Sequence, residues 1–412
     1  MRILHLTTQI PSAYRIDGGA ARQFELITRA AAAGHEVVVV APIAEWMHRE
    51  YRPREDLAQH GVRLVATPRR GSREREALSA LYRHPQIAVR MLRAPFYGAQ
   101  TEMYLLDMER TIVGELRSKP DVVTVEHDFG VRLGDRVPPS VPKVLMTHNV
   151  TEAYYRSRAS GESGWPRLLH LAEARRASSY LRTRIDSFTR IVAVSDDDAL
   201  ALAAQTAVPV SVLPNGSALE PVPRIAAGAA PTLLFTGTMS WAPNHEGIRW
   251  FVSEVWPRVI AAVPEARLLV VGRRPDDKVN GLATRDHRIR VTGEVPEMRP
   301  YYQEATVVVA PLLSGGGTRL KLLDAFAVGR PVVSTTVGAT GLAVSDGREL
   351  LIADRPSDFA TQVLRLLADG ALREKLVSNA RRLVREGYHW EALSARYAAL
   401  LQAAIDDERS SR

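Results

Sequence analysis

Residues 306–333 read TVVVAPLLSGGGTRLKLLDAFAVGRPVV. A β-branched apolar run is followed by Gly315, Gly316 and Gly317, then by a helical apolar pattern closing at Gly329, then by a second apolar run. That order predicts a strand, a tight loop, a helix and a parallel strand. The glycines stand where the first strand hands over to the helix, and glycine lets backbone approach a ligand closely. A helix start adds free N–H groups and a partial positive charge, which suit an anion such as phosphate. Arg319 and Lys321 follow at once, although a helix start repels cations, so an anion best explains their placement. Asp324 lies near the same end. It could accept hydrogen bonds from ribose hydroxyls, or pair with Arg319 or Lys321.

The same strand–helix alternation runs outward in both directions. RILHLTT, EVVVVA, VRLVA, DVVTV, KVLMT, RIVAVS and VSVLP read as strands of a first half. TLLFTG, ARLLVVG, RIRVTG, TVVVAP, PVVSTT and ELLIA read as strands of a second. Between them, residues 214–231 carry four prolines and read as a linker. One helix is expected from His245 to Val263, and a long basic helical stretch from about Ser72 to Ser118. The expected organisation is α/β. Two domains are expected, over 1–215 and 216–390, followed by a helix over 391–412.

A chain of 412 residues exceeds a single core, in keeping with two domains. It has no cysteine, which excludes disulfides, cysteine-ligated zinc and thiol catalysis. No apolar run approaches the roughly 20 residues that span a bilayer, and the N-terminus does not read as a signal peptide. The expected location is cytoplasmic, or peripheral to the inner face of the membrane. Net charge is +8, and ten arginines fall between Arg52 and Arg93. They read as solvated faces, or as a patch for anionic lipid or a phosphorylated acceptor. Low aromatic content and the lack of a nucleic-acid motif argue against nucleic acid.

Other strand exits carry candidate residues. Gly18 and Gly19 sit between a strand and a helix, as a phosphate or sugar cradle or as a plain tight turn. Gly237 closes TLLFTG. His127 and His148 follow two strands of the first half, where an imidazole could hold a sugar hydroxyl or move a proton. Asp196, Asp197 and Asp198 formally contain Asp-x-Asp. After Ser195 they read better as the acidic first turn of a capped helix than as a metal site.

With these pieces in place, the chain resembles the retaining nucleotide-sugar glycosyltransferases of family 4, the glycosyl transferases group 1 proteins of GT-B fold. The matching segments are PNG at 214–216, LLFTGTMSWAPNHEGIRWF, ARLLVVGRRP, the stretch RVTGEVPEMRPYYQEATVVVAPLLSGGGTRLKLLDAFAVGRPVVSTTVGATGL and DGRELLIAD, with GGAARQFELITRAAAAGHEVVVVAP opening the first half. The resemblance implies two Rossmann-like domains facing across a cleft, 1–215 binding the acceptor and 216–390 the nucleotide-sugar, with the helix over 391–412 crossing back to the first. The amide of Gly19 would approach the donor diphosphate, and Arg319 and Lys321 would neutralise it with backbone around Gly316, Gly317 and Thr318. Gly237 would border the donor, backbone at Val295 would meet the base, and Asp324 would take the ribose. His127 would lie beside the transferred sugar, and Gly18 and His148 near sugar or acceptor. No cofactor or metal is implied beyond the nucleotide-diphosphate-sugar, and the acceptor would be a sugar, a lipid-linked glycan or a small molecule. The family usually places Glu-x7-Glu here, whereas this chain has Gly316 and Asp324. The basic pair usual after the second domain's first strand is missing from TGTMSWAPNHEG. A nucleotide-sugar epimerase of the same fold, or a basic membrane- or nucleic-acid-binding protein, are the competing readings.

Overall fold

The computed structural model describes residues 1–12, 18–44, 52–68, 85–217, 219–223 and 230–410, with backbone alone at 85–88. Residues 69–84 of the basic stretch therefore lie outside the described residues. The chain divides into two units: Met1–Pro214 together with Trp390–Arg412, and Asn215–His389.

The first unit holds seven strands: β1 (Arg2–Leu6), β2 (Glu36–Ile43), β3 (Val62–Pro68), β4 (Val122–Glu126), β5 (Lys143–Met146), β6 (Arg190–Ala193) and β7 (Val210–Val212). They pair in parallel in the order β3-β2-β1-β4-β5-β6-β7. β1 lies inside the sheet, with Leu4 opposite Val38 of β2 on one side and Val123 of β4 on the other. Strands buried on both faces read as continuous apolar runs, as EVVVVA does. Leu4, Leu6, Val38, Val40, Val123 and Val125 pack one face against Met108 and Ile112 of the Phe96–Leu116 helix. The helix Trp390–Ser410 returns to this unit and packs on the Gly18–Ala32 helix and on β4 and β5.

The second unit holds β8 (Thr232–Thr236), β9 (Arg267–Val271), β10 (Ile289–Gly293), β11 (Val307–Ala310), β12 (Val332–Ser334) and β13 (Leu351–Ile352), ordered β10-β9-β8-β11-β12-β13 and parallel throughout. The two-residue side-chain period sorts its core into two layers. Leu233, Phe235, Leu268, Val270, Val307 and Val309 pack against Ile248, Phe251, Trp256 and Phe359. Leu234, Leu269, Val271 and Val308 face Leu322, Leu323 and Phe326 on the other side.

In each unit the strand order reverses at one place, between β1 and β4 and between β8 and β11. The loops leaving adjacent strands there run in opposite directions and open a crevice, where open α/β sheets take ligands.

Several elements depart from expectation. The helix after the triple glycine begins at Leu320, with Arg319 as its extended N-cap, so Gly317 and Thr318 belong to the loop. The expected helix over 245–263 is Ala242–Trp250, a π turn at Phe251–Val255 and Trp256–Ala262. Pro257 has no N–H to give the preceding turn, which widens to accommodate it. The basic helical stretch splits into Pro85–Arg93 and Phe96–Leu116 at Pro95, for the same reason. The expected linker begins as part of the second unit. Ser217 N donates to Tyr388 O at 2.9 Å and Val222 N to Val328 O at 3.0 Å, while residues 218 and 224–229 lie outside the described residues. Among the described residues, no helix is long and apolar enough to cross a membrane.

Candidate functional site

The second unit gathers its candidates at the β8/β11 crevice. The loop after β11 ends in Arg319, a buried residue whose Nη1 donates to Gly316 O at 2.6 Å. The guanidinium thus closes its own glycine loop, which explains Gly315. At φ +123°, a Cβ there would stand 2.8 Å from Arg319 Nη2. Two residues on, Lys321 turns toward the loop after β8. Its Nζ donates to Asn244 Oδ1 at 2.6 Å and lies 4.5 Å from the centroid of the Phe235 ring. Gly237, which follows β8 at φ +153°, lies under this contact: a Cβ would meet Asn244 Nδ2 at 2.6 Å and Lys321 Nζ at 3.0 Å. Burial first, and the like charge of Arg319 second, pull the Lys321 ammonium down to about 7. Two cations held close in a half-buried loop are costly without an anion between or beside them.

Asp324, one turn into the helix, accepts from Ser217 Oγ at 2.7 Å. Ser217 is fully buried and in turn accepts from Leu219 N at 3.3 Å. Asn215 Nδ2 donates to Thr318 Oγ1, so the PNG segment braces the end of the loop that leads into the helix. Val295 follows β10, half-buried and packed on the core layer of Leu322 and Phe326.

The first unit builds a separate cluster at its β1/β4 crevice. His127 leaves β4 at φ +67°, a left-handed backbone seldom adopted outside glycine, and stays buried. Its ring stacks between Phe129 (4.6 Å, 15°) and His148 (4.1 Å, 24°). Its Nε2 lies 3.0 Å from Oε1 of Gln9, which leaves β1. His148 Nε2 bonds the carboxylate of Glu126, the last residue of β4. Burial, aided by positive neighbours, holds both imidazoles well below their usual range, so both are neutral at pH 7. Burial raises Glu126 to about 7, against the opposing pull of His5 and Arg22. Arg22 is fully buried and donates to Leu213 O at 2.7 Å and Pro214 O at 2.8 Å. Asp128 accepts from Thr151 N and Oγ1, each at 2.6 Å, which ties the His127 loop to the Thr151–Ser160 helix. Gly18 and Gly19 open the Gly18–Ala32 helix, and residues 13–17 before them lie outside the described residues.

The structure therefore brings Gly237, Gly316, Arg319 and Lys321 together in one unit, and His127 and His148 together in the other. Asn244, Ser217, Glu126 and Gln9 are additions that the sequence reading passed over. Glu126 sits directly before His127, and that adjacency was the available signal. Asn244 follows Pro243 and reads as an ordinary helix start. Asp198 N donates to Ser195 Oγ at 3.1 Å, so the Asp-x-Asp segment serves a helix cap.

Residues 230–369 match the family described as Glycosyl transferases group 1. The phosphatidyl-myo-inositol mannosyltransferase of Mycolicibacterium smegmatis is 28% identical over 34% of this chain and 37% of its own length. The chain spans less than half the length of such curated relatives. Among solved structures, the sucrose-phosphate synthase of Thermosynechococcus elongatus superposes with a TM-score of 0.71 at 17% identity, covering 98% of this chain and 100% of that one. Anabaena Alr3699/HepE in complex with UDP-glucose gives 0.66 at 13% identity, again over 98% and 100%. These likenesses establish the fold: two Rossmann-like sheets of the GT-B class.

Proposed function

We propose that the protein is a retaining glycosyltransferase that moves a sugar from a nucleoside-diphosphate-sugar to a sugar, lipid-linked or small-molecule acceptor. The observation that carries this reading is the pairing of Arg319 with Lys321 at the β8/β11 crevice, with Lys321 Nζ 3.0 Å from where a Gly237 Cβ would stand. In support, the matched domain is named for glycosyl transfer, and the superposed Anabaena structure holds UDP-glucose.

In this reading the chemistry lies in charge stabilisation. As the glycosidic bond breaks, negative charge grows on the departing diphosphate. Arg319, Lys321 and the backbone N–H groups at the start of the Leu320–Val328 helix meet that charge. They stabilise it more than they stabilise the intact donor, which is the condition for acceleration. Gly19 would add its amide to the diphosphate. Asp324 would accept from ribose hydroxyls, and backbone at Val295 would bound the base. His127 and His148, both neutral, would contact the transferred sugar and its acceptor as hydrogen-bonding groups. Attack from the leaving-group side gives retention, with the departing phosphate oxygen taking the acceptor proton.

The reading includes a peripheral contact with the inner face of an anionic membrane. Supporting it, Val89, Leu92 and Phe96 stand exposed beside Arg90 and Arg93, so apolar and basic groups share one short surface.

The test is turnover. Wild-type protein is assayed with UDP- and GDP-sugars and fractionated cell acceptors, alongside Arg319→Ala and Lys321→Ala. Each substitution is expected to lower turnover at least ~100-fold, the scale of a lost oxyanion contact. Full activity in the double variant would overturn the reading. An epimerised donor formed without acceptor would assign the fold to epimerisation instead.

A further inference from the structure

Residues 237–244 after β8, GTMSWAPN, hold no lysine or arginine, yet this loop takes up a cation from elsewhere. Asn244 is buried on the first turn of the Ala242–Trp250 helix. Its Nδ2 donates to Thr238 O at 3.0 Å, which fixes the amide so that Oδ1 faces Lys321 Nζ at 2.6 Å. An ammonium has three donors. Asn244 takes one and leaves the others for a ligand. The Phe235 ring, 4.5 Å away, supports the charge from below. Gly237 leaves room for the contact, since any side chain there would enter it.

We propose that Asn244 is a positioning residue of the donor-diphosphate subsite, which holds Lys321 against the otherwise uncharged β8 loop. This inference rests on the donor-site reading above. Of the groups facing Lys321 Nζ, β8 and its loop supply Phe235 and Gly237, and the next helix supplies Asn244, all neutral. The loop after β11 supplies Arg319, of like charge. None of these neighbours is acidic, so the ammonium gains its counter-charge from the ligand. Because burial and Arg319 bring Lys321 down to about 7, the free protein loses that proton as pH rises through neutrality, and diphosphate affinity falls with it.

The experiment measures binding of UDP, GDP and inorganic pyrophosphate by calorimetry from pH 6 to 9, for wild type, Asn244→Asp and Asn244→Leu. Thermal unfolding confirms that both variants fold. Aspartate is the same size as asparagine but supplies a counter-charge, so its alkaline limb is expected to move up by about one pH unit or more. Leucine removes the acceptor, and is expected to weaken binding roughly tenfold at pH 7, about the value of a lost hydrogen bond to a charged group. Wild-type binding with an unmoved limb in Asn244→Asp, or unweakened binding in Asn244→Leu, overturns the inference alone. If the wild type binds none of the three probes, the donor-site reading fails and this inference with it.

Discussion

Ser217 Oγ donates to Asp324 Oδ1 at 2.7 Å, and Ser217 is itself clamped by its backbone bond to Tyr388. A short acid is thereby held by a buried serine at the position proposed to meet the ribose. Ser217→Ala removes this one donor from the carboxylate, and the donor KM is expected to rise about three- to tenfold with kcat little changed, the value of about one hydrogen bond. A 2′-deoxy donor should lose little further affinity on the same substitution. An equal loss with both donors would assign Ser217 to fold maintenance alone.

Gly237 is the second test of the same crevice. Alanine there places a Cβ 2.6 Å from Asn244 Nδ2 and 3.0 Å from Lys321 Nζ, at a backbone angle of +153°. Gly237→Ala is expected to lower donor affinity at least ~10-fold and to destabilise by roughly 1–3 kcal/mol, the cost of a strained non-glycine residue. Parallel chemical denaturation and nucleotide titration separate the two effects.

Glu126 makes a stability prediction with a definite sign. Its folded-state pKa of about 7 lies above the ordinary value of 4.5. Between those values the folded protein holds the proton that the unfolded chain has released. Stability from this group is therefore greatest at low pH and declines as pH rises toward 7. Glu126→Gln removes the decline. Urea unfolding at pH 5, 6, 7 and 8 should show the variant gaining on the wild type as pH rises. A constant difference would mean that Glu126 is ionised throughout, held by Arg22 and His5.

The surface at Leu92 and Phe96 tests the membrane contact. Both are exposed, at 75% and 61%, next to Arg93. The double variant Leu92→Glu, Phe96→Glu is expected to lose most of its co-sedimentation with phosphatidylglycerol vesicles while keeping turnover of a water-soluble acceptor. Unchanged sedimentation would remove this surface from the proposal.

His127 should behave differently from the cations. Its ring is stacked between Phe129 and His148, and the proposal sets it against the sugar rather than the diphosphate. His127→Ala is expected to depress kcat ~100-fold or more while nucleoside diphosphate affinity stays near wild type.

How much of this was readable beforehand follows from the range of the interactions. β8 and β11 announce themselves locally, as apolar β-branched runs closed by glycine or proline, and the glycine loop with Arg319 and Lys321 lies within one short stretch. Asn244 and Lys321 are far apart in sequence, and only the pairing of β8 with β11 brings them together. The same holds for Ser217, which looked like linker until its bonds to Tyr388 and Asp324 were seen. His5 offered no signal, being one polar residue in an apolar strand, although it bonds Thr124 Oγ1 at 2.9 Å and Gln23 Oε1 at 3.2 Å. The helix begins only at Leu320 because Arg319 adopts an extended backbone to fold over Gly316, a contact that no helix propensity records.

The most direct measurement is a crystal structure of the protein soaked with a nucleoside diphosphate. The account expects its β-phosphate oxygens within hydrogen-bond reach, about 3 Å, of Lys321 Nζ and the Arg319 loop, with Gly237 alongside. Phosphates bound elsewhere, with Lys321 still turned only to Asn244, would contradict it.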